Sequence, residues 1–474
     1  MIGKTKHVAF NVSPLQASCD CERLRYSPSR RVKYNSGLPV NKLPTELLCD
    51  IFSKFLEDDR EFPDYAPAMG PLVSLHTRAD PTILGQVCSW WRNVALSTPA
   101  LWTNIFILEP KGTQIFRTRL WLERAGNHPL NIAIEDRRSV GYNLAPLDQI
   151  LTALTSRQQL WRRVNFFIPS DALKSLLVAI TNQPPDFRNL ESASLCIGSQ
   201  QPCQNVSIDT IWKVFHSSPV LYEVDWHCTY YNELLTHAPW AQLTHLNLQS
   251  EFGTESLTDM LVSCTKIRAL FLFRLSLTTE TTKVLEPIVL ENLHTLNLEV
   301  EVEPCPLFGR LTLPSLRSLD IRYRYFDSNS PRNIVAFQEF LIRSNCSLER
   351  LTFYDEDLDE DHLKAFISSP SLQHVTVLDL QVPISDEIIK SFTRQNNDGY
   401  HENMPFLEEM TLSICTSSDG LLAQMVSSRW TNLTAHKDGK TLKRVMLNKD
   451  GNYGIEDEIG LSKLFSSGLQ GSKS

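Results

Sequence analysis

Leu243-Thr244-His245-Leu246-Asn247-Leu248 and Leu293-His294-Thr295-Leu296-Asn297-Leu298 are two copies of one phrase, with apolar residues first, fourth and sixth. The fourth and sixth alternate with polar residues, as a strand with one buried face requires. Earlier copies begin at Trp161-x-x-Val164-x-Phe166, at a stretched Leu190-x-x-x-x-Leu195-x-Ile197 and at Leu221-x-x-Val224-x-Trp226. Later ones are Ile267-x-x-Leu270-x-Leu272, Leu316-x-x-Leu319-x-Ile321, Leu348-x-x-Leu351-x-Phe353, Leu372-x-x-Val375-x-Val377, Leu407-x-x-Met410-x-Leu412 and Leu442-x-x-Val445-x-Leu447. Helical periods lie between them. Ile334, Phe337 and Leu341 recur at i, i+3 and i+7; Leu363, Phe366 and Ile367 form another stripe; Ser385 caps a helix bearing Ile388, Ile389 and Phe392.

Each unit therefore reads as a strand followed by a helix, and one such unit cannot bury its own apolar face. Stacked units make a continuous core under a parallel sheet. The phrases start 22 to 35 residues apart, overlapping the roughly 20 to 29 residues of leucine-rich repeats, and the array resembles a divergent member of that class. It departs at the ninth position, where Glu251, Leu275, Glu301 and Glu356 replace the expected Asn or Cys. The competing architecture is a conventional α/β domain with its strands in any order.

A different pattern stands nearer the start. Leu47, Leu48, Ile51, Phe52 and Phe55 follow one helical stripe after Leu43 and Pro44. Pro44 suits the first helical position and Glu46 the positive end of the helix dipole. A second helix is expected from Asp80 to Pro99, with Leu84, Val87, Cys88, Trp91 and Ala95 on one side. The spaced set Leu43-Pro44-x-Glu46-Leu47-Leu48, Ile51-Phe52 and Val87-Cys88-x-x-Trp91-Arg92 resembles an F-box. Ser97-Thr98-Pro99-Ala100-Leu101-Trp102 and Trp121-Leu122-Glu123-Arg124-Ala125-Gly126 continue the likeness to F-box proteins of mushroom-forming fungi. The fold class expected is thus a small all-α F-box-like module followed by an α/β leucine-rich repeat-like solenoid with a parallel sheet.

The expected divisions are a disordered basic tail over 1–37, an F-box-like domain over 38–105 with an insertion at 57–80, a linker or N-terminal cap over 106–160, the array over 161–460 and a flexible tail over 461–474. The tail carries seven Lys and Arg against two acids, which is +5, so a net charge of -8 leaves -13 elsewhere. An acidic body argues against nucleic acid as the main partner, since phosphate binding needs clustered cations. No apolar run of about 18 residues marks a membrane span and no signal peptide stands at Met1 to Pro14. Eleven cysteines without a CxxC pair suit free thiols in a reducing compartment, cytoplasmic or nuclear.

No catalytic or metal motif emerges, and no cofactor is expected. The acidic run Asp355 to Asp361 lacks the Gly and Glu of a calcium loop, and reads as a solvated helix start. What the F-box resemblance implies is a non-enzymatic substrate receptor of a cullin-RING ubiquitin ligase. Its Skp-adaptor contact would involve Leu43, Pro44, Leu47, Leu48, Ile51, Phe52, Leu84, Val87, Cys88 and Trp91, some of them facing inward. A repeat scaffold outside ubiquitin ligation is the alternative. An unidentified protein substrate would lie on the strand face opposite the core, where Phe271, Phe273, Arg322, Arg350 and Tyr354 are types that anchor interfaces.

Overall fold

The computed structural model describes residues 43–57, 80–138, 141–197, 206–227, 237–249, 254–275, 287–301, 304–324, 334–395, 401–430, 442–449 and 453–473. The basic tail and nearly all of the insertion expected at 57–80 lie outside them. The described residues fall in two compact units, one ending at Thr98 and the other beginning at Pro99.

The first unit holds α1 (Thr45–Glu57), α2 (Leu84–Val87) and α3 (Ser89–Ser97). The single helix expected from Asp80 is broken. Asp80 accepts a hydrogen bond from the Thr82 amide in a turn, and Cys88 is extended, with φ -159° and ψ 171°. Cys88 Sγ accepts from the Trp91 amide at 3.4 Å, so a capping side chain divides the apolar stripe into two helices.

The second unit is built on a sheet of fourteen parallel strands, β1 (Asn104–Leu108), β2 (Leu130–Glu135), β3 (Trp161–Ile168), β4 (Ser192–Ile197), β5 (Glu223–His227), β6 (His245–Gln249), β7 (Ala269–Leu275), β8 (Thr295–Val300), β9 (Ser318–Tyr323), β10 (Arg350–Tyr354), β11 (Val377–Ile384), β12 (Glu409–Cys415), β13 (Arg444–Lys449) and β14 (Gln470–Lys473). Each strand pairs with its predecessor and successor in this series, and none is skipped. That order is not the crossed order of a conventional α/β sheet. The helices of this unit are α4 (Gly112–Ala125), α5 (Ala145–Thr155), α6 (Leu173–Thr181), α7 (Val206–Phe215), α8 (Thr254–Ser263), α9 (Cys305–Phe308), α10 (Ile334–Ser344), α11 (Glu360–Ile367), α12 (Asp386–Thr393), α13 (Leu421–Arg429) and α14 (Ile455–Ser466). A small pair, Ile288–Val289 with Leu311–Thr312, stands apart from the large sheet.

Register explains two irregular phrases. Val164 pairs with Ala193 and Phe166 with Leu195, so the stretched copy is an ordinary Leu190-x-x-Ala193-x-Leu195 whose fourth residue is small. Leu351 pairs with Leu378 and Phe353 with Leu380, so that unit reads Val375-x-x-Leu378-x-Leu380, and Leu372 ends a short 3-10 turn. The sheet also exceeds the expected array at both ends. The stretch 106–160 holds most of β1 and all of α4, β2 and α5, and the end of α14 and β14 occupy the expected flexible tail. Fourth and sixth residues are buried throughout, among them Leu246, Leu248, Leu296, Leu298, Leu319 and Ile321. Each such side chain contributes about 1.5–3 kcal/mol of transfer free energy. Among the described residues no helix is long and apolar enough to cross a membrane.

Candidate protein-docking surfaces

α1 carries apolar residues in adjacent pairs, and the fold sends the members of each pair in different directions. Leu48, Phe52 and Leu56 are buried at i, i+4 and i+8. The Phe52 ring lies 4.9 Å from that of Trp91. Leu47, Ile51 and Phe55, one position earlier in each pair, remain 50, 44 and 45% exposed. The helix is closed at its start by the Leu48 amide donating to the Pro44 carbonyl. Toward α3, Cys49 Sγ lies 3.2 Å from Thr98 Oγ1, which itself donates to the Val94 carbonyl. Val94 and Ala95 face inward on α3, whereas Val87, Trp90 and Leu96 are exposed.

This sorts the ten residues expected at the adaptor. Leu47, Ile51, Val87 and Pro44 are exposed; Leu43, Cys88 and Trp91 are half-buried; Leu48, Phe52 and Leu84 belong to the interior. Phe55, Trp90 and Leu96 are exposed apolar residues outside that set. Phe55 was readable from its place in the stripe. Trp90, next to the half-buried Trp91, is 40% exposed.

The second surface is the sheet face opposite the core. Register places Ser194, Asp225, Asn247, Phe271, Asn297, Asp320, Thr352 and Asp379 in one row across β4 to β11. Alternation alone exposes this face, but Asp225 and Asn247 of the row, and His227, Phe273 and Glu299 two residues further along their strands, are buried. Part of this cluster is paired within the face, while Asn247 Oδ1 is buried without a hydrogen-bond partner. Ser194 Oγ donates to Asp225 at 2.9 Å. His227 Nε2 lies 2.6 Å from Asp225 and Nδ1 2.6 Å from Gln249 Oε1. Burial opposes a charge on His227, yet Asp225 and Gln249 outweigh it and raise its pKa. With acceptors at both ring nitrogens, the imidazolium is the form that fits.

Of the five expected substrate residues, Phe273 is corrected. It is buried, its ring 6.3 Å from that of His227. Phe271 is half-buried and Arg350 exposed. Arg322 is held by Asp320 through two parallel hydrogen bonds of 3.0 Å, and the half-buried Tyr354 is bonded to Glu356. Arg324, which follows β9, pairs with Glu299 at 3.2 Å, so both arginines meet counter-charges within the protein. The acidic run also resolves. Asp359 accepts from the His362 amide and caps α11, and among the described residues no cluster of metal-binding groups is present.

Residues 40–108 match the F-box-like family model, so the chain carries an F-box-like domain that spans α1 to β1. No curated protein matches the chain. Among solved structures, a protein from Bacteroides fragilis aligns at 15% identity with a TM-score of 0.28, covering 50% of this chain and 66% of that one. F-box domains generally bind the Skp adaptor, and the match supports a role in protein interaction.

Proposed function

We propose that this chain is the substrate-recognition subunit of a Skp-cullin-F-box ubiquitin ligase. Its first unit docks on the Skp adaptor, and its sheet, a leucine-rich repeat-like solenoid of the kind found in F-box proteins of mushroom-forming fungi, binds the target protein. The observation that carries the reading is the exposed stripe Leu47, Ile51 and Phe55 on an F-box-like helix whose other stripe already fills the interior. A small helical unit that keeps two apolar stripes leaves one for a partner. The chain itself is not an enzyme on this reading. Transfer chemistry belongs to other subunits, and the receptor contributes proximity and orientation.

The test is co-purification with the Skp adaptor. Wild type retains it, and a variant combining Leu47→Ala with Ile51→Ala loses it while keeping the wild-type melting profile. If wild type fails to bind, or the folded double variant binds as well as wild type, the reading falls. Retention of a target protein without the adaptor would then favour a scaffold outside ubiquitin ligation.

A further inference from the structure

On the helical side of the sheet, three titratable groups stand in line. His237 Nε2 lies 3.0 Å from Asp209 Oδ1, and His237 Nδ1 lies 3.1 Å from His216 Nδ1. Asp209 belongs to α7 and His216 directly follows it, its amide donating to the Trp212 carbonyl. His237 belongs to the chain that leads into β6. The His216 ring is stacked on Trp212, with centroids 5.1 Å apart. It is 8% exposed, and its Nε2 is buried without a hydrogen-bond partner.

These contacts fix where protons can sit. A carboxylate only accepts, so His237 Nε2 carries a proton. The 3.1 Å between the two Nδ1 atoms holds one proton. With both rings neutral, His216 donates it and leaves a buried Nε2 lone pair. One added proton is accommodated, because a charged His237 can donate to Asp209 and to His216 together. A second is not: two N–H groups would then point at each other, next to an indole and away from water. Burial first, and the neighbouring His237 second, lower the His216 pKa to about 3. Of the adjoining helices, Lys174 on α6 and Asp259 on α8 lie at exposed positions and offer no compensation.

We infer that Asp209, His237 and His216 form an acid-sensitive latch, which holds the chain leading into β6 against α7 and releases it when His216 takes a proton. His237 lies between β5, which ends at His227, and β6, which carries Asn247 and Gln249, so release loosens the chain leading into a strand of the polar cluster. An opened His216 titrates near its ordinary 6.5 and a latched one near 3. Lowering the pH from 7.5 to 5 therefore shifts the equilibrium toward the open form by about thirtyfold.

Hydrogen exchange of the full chain, corrected for the intrinsic effect of pH, tests this. Between pH 7.5 and 5, peptides covering α7 and residues 237–249 lose protection by that order, while peptides covering β9 to β12 do not. His216→Phe keeps a ring against Trp212 and abolishes the response. An unchanged wild type, or the same loss in His216→Phe, overturns the latch. Nitrogen-15 spectra of histidine-labelled wild type give a second reading: His216 stays neutral through pH 5 while latched, and a simple titration near 6.5 overturns the proposal. A chelator leaves the pH 7.5 exchange unchanged; if EDTA opens the same peptides, the two rings hold a metal and the latch is wrong.

Discussion

Phe52 and Phe55 stand three residues apart on α1 and face different ways, so the same truncation at each separates folding from docking. Phe52 is fully buried beside Trp91, and Phe55 is 45% exposed. Removing a buried phenyl ring leaves a cavity, and Phe52→Ala should cost about 3–5 kcal/mol in local stability. At Phe55 solvent fills the space. Only about half of the roughly 2–3 kcal/mol of ring burial is at stake, so Phe55→Ala should cost about 1 kcal/mol. The gain in helix propensity is common to both and cancels in the comparison. The adaptor should rank them the other way among folded molecules. A half-exposed aromatic covered at an interface is worth about 1–2 kcal/mol, a five- to thirtyfold loss of affinity. Hydrogen exchange of peptides within 45–57 gives the stability of this unit without contribution from the sheet, and calorimetric titration with purified adaptor gives the affinity. Equal stability losses at both positions would refute the division of α1 into inner and outer stripes. Unchanged affinity for Phe55→Ala would refute its docking role.

His227 should respond to pH in the sense opposite to His216. Its pKa is raised in the folded chain, so its contribution is fully present below the unfolded value of 6.5 and is lost as pH rises through the folded value. The melting-temperature gap between wild type and His227→Gln should therefore be widest below the unfolded value and narrow as pH rises through the raised folded value; a gap that widens with pH contradicts the imidazolium assignment. Asp359→Ala, which deletes the cap of α11, should cost about 1 kcal/mol in urea titrations. Millimolar calcium should leave the melting of either form unchanged, and a calcium-dependent rise in wild type alone would restore the metal reading of the acidic run.

From β3 to β13 the strands were legible wherever the phrase had large residues at its fourth and sixth places. The pattern stretched the copy at β4 because Ala193 is small, and misplaced one unit because Leu372 and Val375 mimic the spacing three residues early. Leu130-x-Ile132-x-Ile134 is a strict alternation without the leading apolar residue, and β14 has Gly471 and Lys473 where its neighbour has Val445 and Leu447, so both ends of the sheet escaped. Alternation correctly assigned faces to side chains. It could not tell that Asp225, His227 and Asn247 are covered, because burial of a strand's second face depends on segments remote in the chain and carries no period of its own.

The same limit shows why the docking stripe was blurred in the sequence, although a signal for it exists. A helix that packs on one side needs an apolar arc of about 100°, and Leu48, Phe52 and Leu56 supply it. The pairs Leu47-Leu48, Ile51-Phe52 and Phe55-Leu56 nearly double that arc, because each added residue is turned by 100° from its neighbour. Among the described residues this unit has two other short helices, α2 and α3, and part of the wider arc stays exposed. The surplus is thus a property of the sequence, and only the fold decides which member of each pair is surplus. Phe52 is fixed inward by Trp91, and Trp91 in turn is placed by the Cys88 cap that starts α3. The break in the second helix, which the apolar period did not reveal, is therefore what orients the stripe proposed to meet the adaptor.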